Sequence, residues 1–242
     1  MKVAIFATCL VDQLFPNVGV ATVKLLRSLG CEVEFDERQT CCGQPAFNTG
    51  YRRQAREFAK NLIEILETSN AEAIVVPSGS CTAMIRHFPD LLEDDEKWRS
   101  RAGSVASRSH ELTEFLVNVL HVDTMSSDFQ GKVGWHDACH GLRDLGIRDE
   151  PRKLLKNIDG AEFVEIEKAD VCCGFGGTFS VKFPEISTAI VDAKIESIQR
   201  SGVDVVSGCD ASCLMQIGGR LSRLGSMIQA RHIAEILAQQ DQ

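Results

Sequence analysis

Apolar residues come in short runs separated by amphipathic stretches, and this alternation continues along the whole chain. Residues 3–8 form an apolar run that suits a buried strand. Residues 18–29 then show helical spacing, with Val20, Val23, Leu26 and Leu29 on one side, and Gly30 stops them as a residue past a helix end does. A short strand is expected at 33–35, a helix at 51–66 with Phe58, Leu62, Ile65 and Leu66 as its apolar stripe, and a strand at 73–76 closed by Pro77. Cys81 opens a further helix. Later in the chain, strands are expected at 133–136, 162–166, 203–207 and 227–229, and helices at 152–156, 185–200, 212–224 and 232–238. Strands alternating with helices through short connections specify an α/β protein, with parallel sheets covered by helices. Ligands of such sheets bind beyond the carboxyl ends of the strands.

The alternation is a duplication. Lys2-Val3 recurs as Lys132-Val133 and Cys9 as Cys139, 130 residues on. Cys41-Cys42-Gly43 recurs as Cys172-Cys173-Gly174 at an offset of 131, and Ser80-Cys81 as Ser212-Cys213 at 132. His110 and its apolar followers match His232 and its own at an offset of 122, so the first copy carries an extra segment, placed at the acidic, Arg-containing stretch 91–104. That segment is expected to be a solvated helical excursion, with Trp98 packed on the core or marking a partner surface. The chain therefore reads as two Rossmann-like βαβ halves related by approximate two-fold pseudosymmetry. The boundary falls in the polar segment 123–130, which gives repeats 1–124 and 125–242.

Composition narrows the chemistry. The 242 residues are 44% hydrophobic and 25% charged, the balance of a folded protein, with a net charge of −8. An acidic chain does not suit non-specific nucleic-acid binding, so no nucleic acid is expected as partner. No stretch reaches the about 20 apolar residues of a membrane span. The apolar start ends at Asp12 without a clear cleavage site, so a strand is a better reading than a signal peptide, and a cytoplasmic protein is expected. Ten cysteines in a chain of this length are too sparse for a disulfide scaffold. In a reducing compartment their clustering points to metal or redox chemistry.

Their placement supports that. Cys9, Cys41, Cys42 and Cys81 fall in post-strand loops of the first copy, and Cys139, Cys172, Cys173, Cys209 and Cys213 in those of the second. Cys31 stands apart: its repeat partner is Ala161, so it is read as a packing residue. Four or five thiolates suit zinc or an iron–sulfur cluster. Adjacent cysteines diverge in an extended loop, which is poor for one tetrahedral zinc and better for different irons of one cluster. The Gly after each pair lets backbone amides approach the sulfurs.

This doubled pattern, Cys9…Cys41-Cys42-Gly43…Cys81 and Cys139…Cys172-Cys173-Gly174…Cys209-x3-Cys213, resembles the tandem cysteine-rich CCG domain found in the catalytic subunit of heterodisulfide reductase and in the glycolate oxidase iron–sulfur subunit. Within that superfamily, the stand-alone length, the segment from Pro77 to Cys81 and the segment from Cys213 to Leu221 most resemble the lactate utilisation protein A family. The resemblance implies an iron–sulfur oxidoreductase subunit that helps oxidise L-lactate, a small hydroxy acid, to pyruvate. It implies two partners, a ferredoxin-type iron–sulfur protein and a third small protein. It also implies a [4Fe–4S] cluster at each complete motif. In the first copy Ser78 stands where a five-cysteine site has Cys, leaving four candidate thiolates against five in the second, so the second copy is expected to hold the sturdier cluster. Alternatives are a heterodisulfide-reductase-like or glycolate-oxidase-like redox subunit, and a zinc-stabilised assembly or regulatory protein.

Beside Cys139, His140 is a candidate proton donor and Arg143 a candidate partner for a substrate carboxylate. His136 is either a third such group or a strand-end residue meeting local hydrogen bonds. His110 and His232 are expected to serve helix N-termini. The segment Gly174-Phe175-Gly176-Gly177-Thr178 fits neither phosphate-binding fingerprint and is read as a loop around the cluster.

Overall fold

The computed structural model describes residues 1–238; the last four residues of the second repeat lie outside them. It divides into two compact units, Met1–Leu112 and Thr113–Gln242. Each contains one four-stranded, wholly parallel sheet.

The first sheet is built from β1 (Lys2–Ile5), β2 (Glu32–Glu34), β3 (Ala73–Val76) and β4 (Ser109–Glu111), in the order β2-β1-β3-β4. The second is built from β5 (Gly131–Trp135), β6 (Ala161–Phe163), β7 (Val205–Gly208) and β8 (Gln229–His232), in the order β6-β5-β7-β8. The orders are the same, and so is the register of the two central strands: Val3 faces Ala73 as Val133 faces Val205. The α/β class and the duplicated parallel sheets expected from the sequence are thus present. In each sheet the chain leaves the first strand toward one edge and returns on its other side. The crevice at that reversal, beyond the carboxyl ends of β1/β3 and β5/β7, is where parallel sheets bind ligands.

Burial explains why these segments fold so. All four residues of β3 are buried, as a central strand covered on both faces requires. Helix Pro16–Ser28 buries Val18, Ala21, Thr22, Leu25 and Leu26, while Val20, expected on the inner face, is 53% exposed. Helix Arg52–Glu67 buries Ala55, Ala59, Leu62, Ile63, Ile65 and Leu66, and Phe58 lies outside that face. In both helices small residues form part of the contact, which brings the helix axis closer to the sheet than a stripe of large side chains would.

Two features were not legible. Strand β4 reads Ser-His-Glu, too short and polar to register as a strand, yet Ser109 and Glu111 are fully buried. The acidic stretch before it is largely helical with residues 93–97 exposed, as expected, but it also packs inward. Helices Phe88–Leu91 and Glu96–Ser107 bury Phe88, Leu91, Ala102 and Val105 and lead into β4. Trp98 packs on the core there, with the Arg101 guanidinium 4.0 Å from its ring centre and paired to Glu67.

Residues 113–124 fall in the second compact unit. The Asn118 amide there donates to Glu150 at 2.9 Å. Cys31 is buried just before β2, at the amino end of the sheet and away from the loops that carry the other cysteines.

Candidate metal centres

In the first unit, Cys9 begins helix Cys9–Leu14 directly after β1. Cys41 and Cys42 lie in the loop between β2 and helix Gln44–Asn48, and Cys81 is the third residue of helix Gly79–Arg86 after β3. The fold brings these thiols together in two pairs. Cys9 Sγ is 3.8 Å from Cys41 Sγ, and Cys42 Sγ is 3.4 Å from Cys81 Sγ. The Gly43 N–H donates to Cys41 Sγ at 3.4 Å.

The second unit repeats this set. Cys139 begins helix Cys139–Arg143, Cys172 and Cys173 lie in the loop after β6, and Cys213 is the third residue of helix Ala211–Arg223. Cys139 and Cys172 are close enough to shift each other's acidity, and Cys173 Sγ lies 3.1 Å from Cys213 Sγ. The Gly174 N–H donates to Cys172 Sγ at 3.3 Å.

Each set has the acid–base pattern of thiols that share one negative charge. The Cys41 pKa is drawn far down, first by the hydrogen bond from Cys42, then by that from Cys9 and by the Gly43 N–H. The Cys172 pKa is drawn down by Cys139, Cys173 and the Gly174 N–H in the same way. Their donors Cys9, Cys42, Cys139 and Cys173 are pushed up by the same bonds and by burial. Protonated thiols packed this closely are poised to lose protons to a metal, which binds only thiolates.

The two glycines shape the cradles. Gly43 and Gly174 have φ of +85° and +84°. A Cβ on Gly43 would sit 2.9 Å from Phe58 Cβ, and one on Gly174 would sit 2.6 Å from the Ser187 carbonyl oxygen. Only glycine lets the Cys-Cys turn press against the following helix while its amide faces sulfur.

The fifth position differs from the sequence pattern in both units. Ser78 is the N-cap of helix Gly79–Arg86, its Oγ accepting from Cys81 N at 3.2 Å. The residue at that place in the second unit is Asp210, the N-cap of helix Ala211–Arg223. Cys209 stands one residue earlier, where the first unit has Pro77. Its Sγ approaches Asp210 Oδ2 at 3.9 Å and would touch a Cβ on Gly141 at 3.5 Å. His232 fixes its backbone: Nε2 donates to the Cys209 carbonyl at 2.9 Å, while Nδ1 accepts from Ala234 N as the cap of helix Ile233–Leu237. His232 thus serves a helix N-terminus, as its sequence position suggested.

His136 follows β5 and is fully buried. Neither ring nitrogen makes a well-formed hydrogen bond, although the ring lies beside the Ala169 carbonyl. The neighbouring Ala169 carbonyl already accepts from Asp137 N and from Lys194 Nζ. A ring nitrogen of His136 lies with Cys173 Sγ and Cys213 Sγ in a group whose atoms are all within 4.8 Å of one another. Burial, aided by the Lys194 ammonium, lowers the His136 pKa to about 3, so the imidazole is neutral.

Next to it the second unit carries buried charge. Arg152 forks both oxygens of Asp137 at 2.9 and 2.8 Å and also pairs with Glu165. Lys194 donates to the carbonyls of Lys168 and Ala169 at 2.9 and 2.7 Å. Asp137, Arg148, Arg152 and Lys168 line a cleft of about 560 Å³. A cleft of about 450 Å³ in the first unit is lined directly by Cys9 and Cys41.

His140 and Arg143 sit on the short helix that Cys139 begins. His140 is partly exposed, with Nδ1 bonded to the Asp144 carboxylate, and Arg143 is exposed. Sequence reasoning found His136 as a neighbour of Cys139 but not its convergence with Cys173 and Cys213. The signal lay in the repeat offset, which sets it opposite Phe6.

Known proteins resemble the chain in sequence and in fold. The cysteine-rich domain family CCG matches residues 3–86 and 133–218, one match in each unit. Lactate utilization protein A of an Exiguobacterium species is 53% identical over 236 residues, covering 98% of this chain and 96% of its own. Lactate utilization protein A of Bacillus subtilis is 49% identical over 237 residues, covering 98% and 99%. Among solved structures, a hypothetical protein from Helicobacter pylori matches with a TM-score of 0.61 at 11% identity, over 100% of this chain and 49% of that one, which is a likeness of fold.

Proposed function

The chain belongs to the lactate utilization protein A family of tandem CCG cysteine-rich proteins, and from that premise we propose that it is an iron–sulfur subunit of a system oxidising L-lactate to pyruvate. The observation that carries this reading is the recurrence of four convergent thiols, a left-handed Gly and an amide N–H on sulfur in both units. Soft thiolates in a cradle that excludes a Cβ and supplies amide donors fit a [4Fe–4S] cluster. Cys9, Cys41, Cys42 and Cys81 would hold one, and Cys139, Cys172, Cys173 and Cys213 the other. Such clusters, when bound, accept and release single electrons.

The chain's own residues supply the rest. Oxidation of lactate to pyruvate releases two electrons and two protons. His140, oriented by Asp144 beside Cys139, is placed to take up a proton at its free ring nitrogen. Arg143, on the same helix turn and exposed, is placed to pair with the carboxylate of a hydroxy acid. Electrons pass on to partner proteins, a ferredoxin-type iron–sulfur protein and a third small protein. No described helix is long and apolar enough to cross a membrane, in keeping with action in the cytoplasm.

The test is twofold. Anaerobic reconstitution should give a brown protein with paramagnetic signals on reduction, and Cys173→Ala in the producing organism should abolish growth on L-lactate. Normal growth of that mutant contradicts the reading. The grouping of His136 with Cys173 and Cys213 gives zinc a specific basis as the second reading. Zinc without iron in the purified protein would decide for it.

A further inference from the structure

The two units offer each other as controls. Phe6 and His136 occupy the same place: both follow the first strand of their sheet, both are fully buried, and each backbone N–H donates to the neighbouring strand, Phe6 to Val75 at 3.0 Å and His136 to Ser207 at 2.8 Å. In the first unit the phenyl ring belongs to the apolar cluster that includes Cys42 and Cys81. In the second unit an imidazole stands there with no well-formed hydrogen bond on either nitrogen, and one of its nitrogens is within 4.8 Å of Cys173 Sγ and Cys213 Sγ. Ser207 Oγ, on the adjacent strand, is unpartnered as well.

An orphaned buried imidazole is costly, and phenylalanine at this site shows that the fold does not require one. Nor do nearby charges account for it. The Asp137 carboxylate is occupied by Arg152, and the Lys194 ammonium by two carbonyls. What one ring nitrogen faces is sulfur, in a spacing compatible with sharing one metal at about 2.0–2.3 Å from each ligand.

We propose that His136 is a nitrogen ligand of the second centre, so that the first centre is bound by thiolates alone and the second by thiolates and an imidazole. The proposal rests on the iron–sulfur reading only for which metal is present. Both centres keep four thiolates, so the imidazole is an additional ligand of the second and makes its coordination unlike that of the first. The two sites thereby become unlike members of a duplicated pair.

The experiment uses the full chain with Cys42→Ala, so that the remaining signal comes from the second unit. Pulsed electron paramagnetic resonance of the reduced, reconstituted protein should show a directly coupled nitrogen that changes on ¹⁵N-histidine labelling. Adding His136→Phe should remove that coupling and leave the iron on the thiolates. Phe is already accommodated at this place in the first unit, and circular dichroism checks the fold. His136→Cys should keep the iron and lose the nitrogen. A spectrum without histidine nitrogen, or one unchanged in His136→Phe, overturns the proposal while leaving the iron–sulfur reading intact. If the chain takes zinc and no iron, that reading fails instead, and cobalt substitution puts the same question. The visible bands should then shift in His136→Phe, and unshifted bands overturn the proposal.

Discussion

Cys173 Sγ lies 3.1 Å from Cys213 Sγ, although the two residues stand on different loops 40 positions apart in the chain. Two sulfurs this close are separated by less than a shared metal would set them, so the pair must open slightly to bind one. Cys173→Ala and Cys213→Ser should each strip the second unit of its metal and leave the first loaded. Cys209→Ser should retain metal, because Cys209 stands one residue before the helix cap that corresponds to Ser78. Metal analysis of the three variants checks this, and loss of metal in Cys209→Ser would add that residue to the ligands.

Asp137 and Arg152 form a buried fork, with side chains 4% and 10% exposed. A fully orphaned buried charge costs on the order of 3–5 kcal/mol, but Arg152 keeps Glu165 when Asp137 is removed. Asp137→Ala should therefore lower unfolding stability measurably but by less than about 3 kcal/mol, and Asp137→Ala with Glu165→Ala by more. The exposed pair Arg38–Asp36 should be silent in the same denaturation experiment, since water screens it.

Lys194 gives the second unit a pH signature. Burial lowers its pKa to about 8 from the ordinary 10.5. The folded chain then releases this proton earlier than the unfolded chain does. Between those two values the unfolded state binds more protons, so stability rises with pH. Relative to Lys194→Met, the native protein should gain on the order of 2 kcal/mol between about pH 8 and pH 10. Chemical denaturation at a series of pH values reads the difference. The neutral amine still has N–H groups for both carbonyls, so the gain is not offset by their loss.

Gly174→Ala should cost more than the left-handed backbone alone requires. Its Cβ would meet the Ser187 carbonyl at 2.6 Å, whereas Gly202, also left-handed at φ +68°, has open space around it. Gly202→Ala should lose roughly 1–2 kcal/mol. Gly174→Ala should lose more and should also release metal from the second unit first. Equal effects of the two substitutions would show that the cradle is not shaped by this glycine.

Much of this architecture was legible because the chain is duplicated. One offset placed every Cys-Cys-Gly turn after its second strand, and the comparison of Cys31 with Ala161 separated a packing cysteine from the rest. What escaped the sequence has physical causes. Ser109-His110-Glu111 is a strand only because its neighbours bury it, which no local propensity records. Val20 and Phe58 were placed on inner faces because large apolar residues dominate a periodicity count, whereas alanines make much of the actual contact. Cys209 drew attention as a cysteine near Cys213, although the offset of 132 that aligns Cys81 with Cys213 sets it opposite Pro77. His136 carries no spacing motif at all. Its significance comes from a fold that leaves the buried ring without a well-formed hydrogen bond and sets one of its nitrogens beside two sulfurs.

The central claim is that each unit holds its own cluster on four thiols. Iron and acid-labile sulfide, counted per chain after anaerobic reconstitution of the native protein, Cys42→Ala and Cys173→Ala, test it most directly. The account predicts about eight irons in the native chain and about half in each variant. Zinc in place of iron, or a native chain that loses nothing with either substitution, would contradict it.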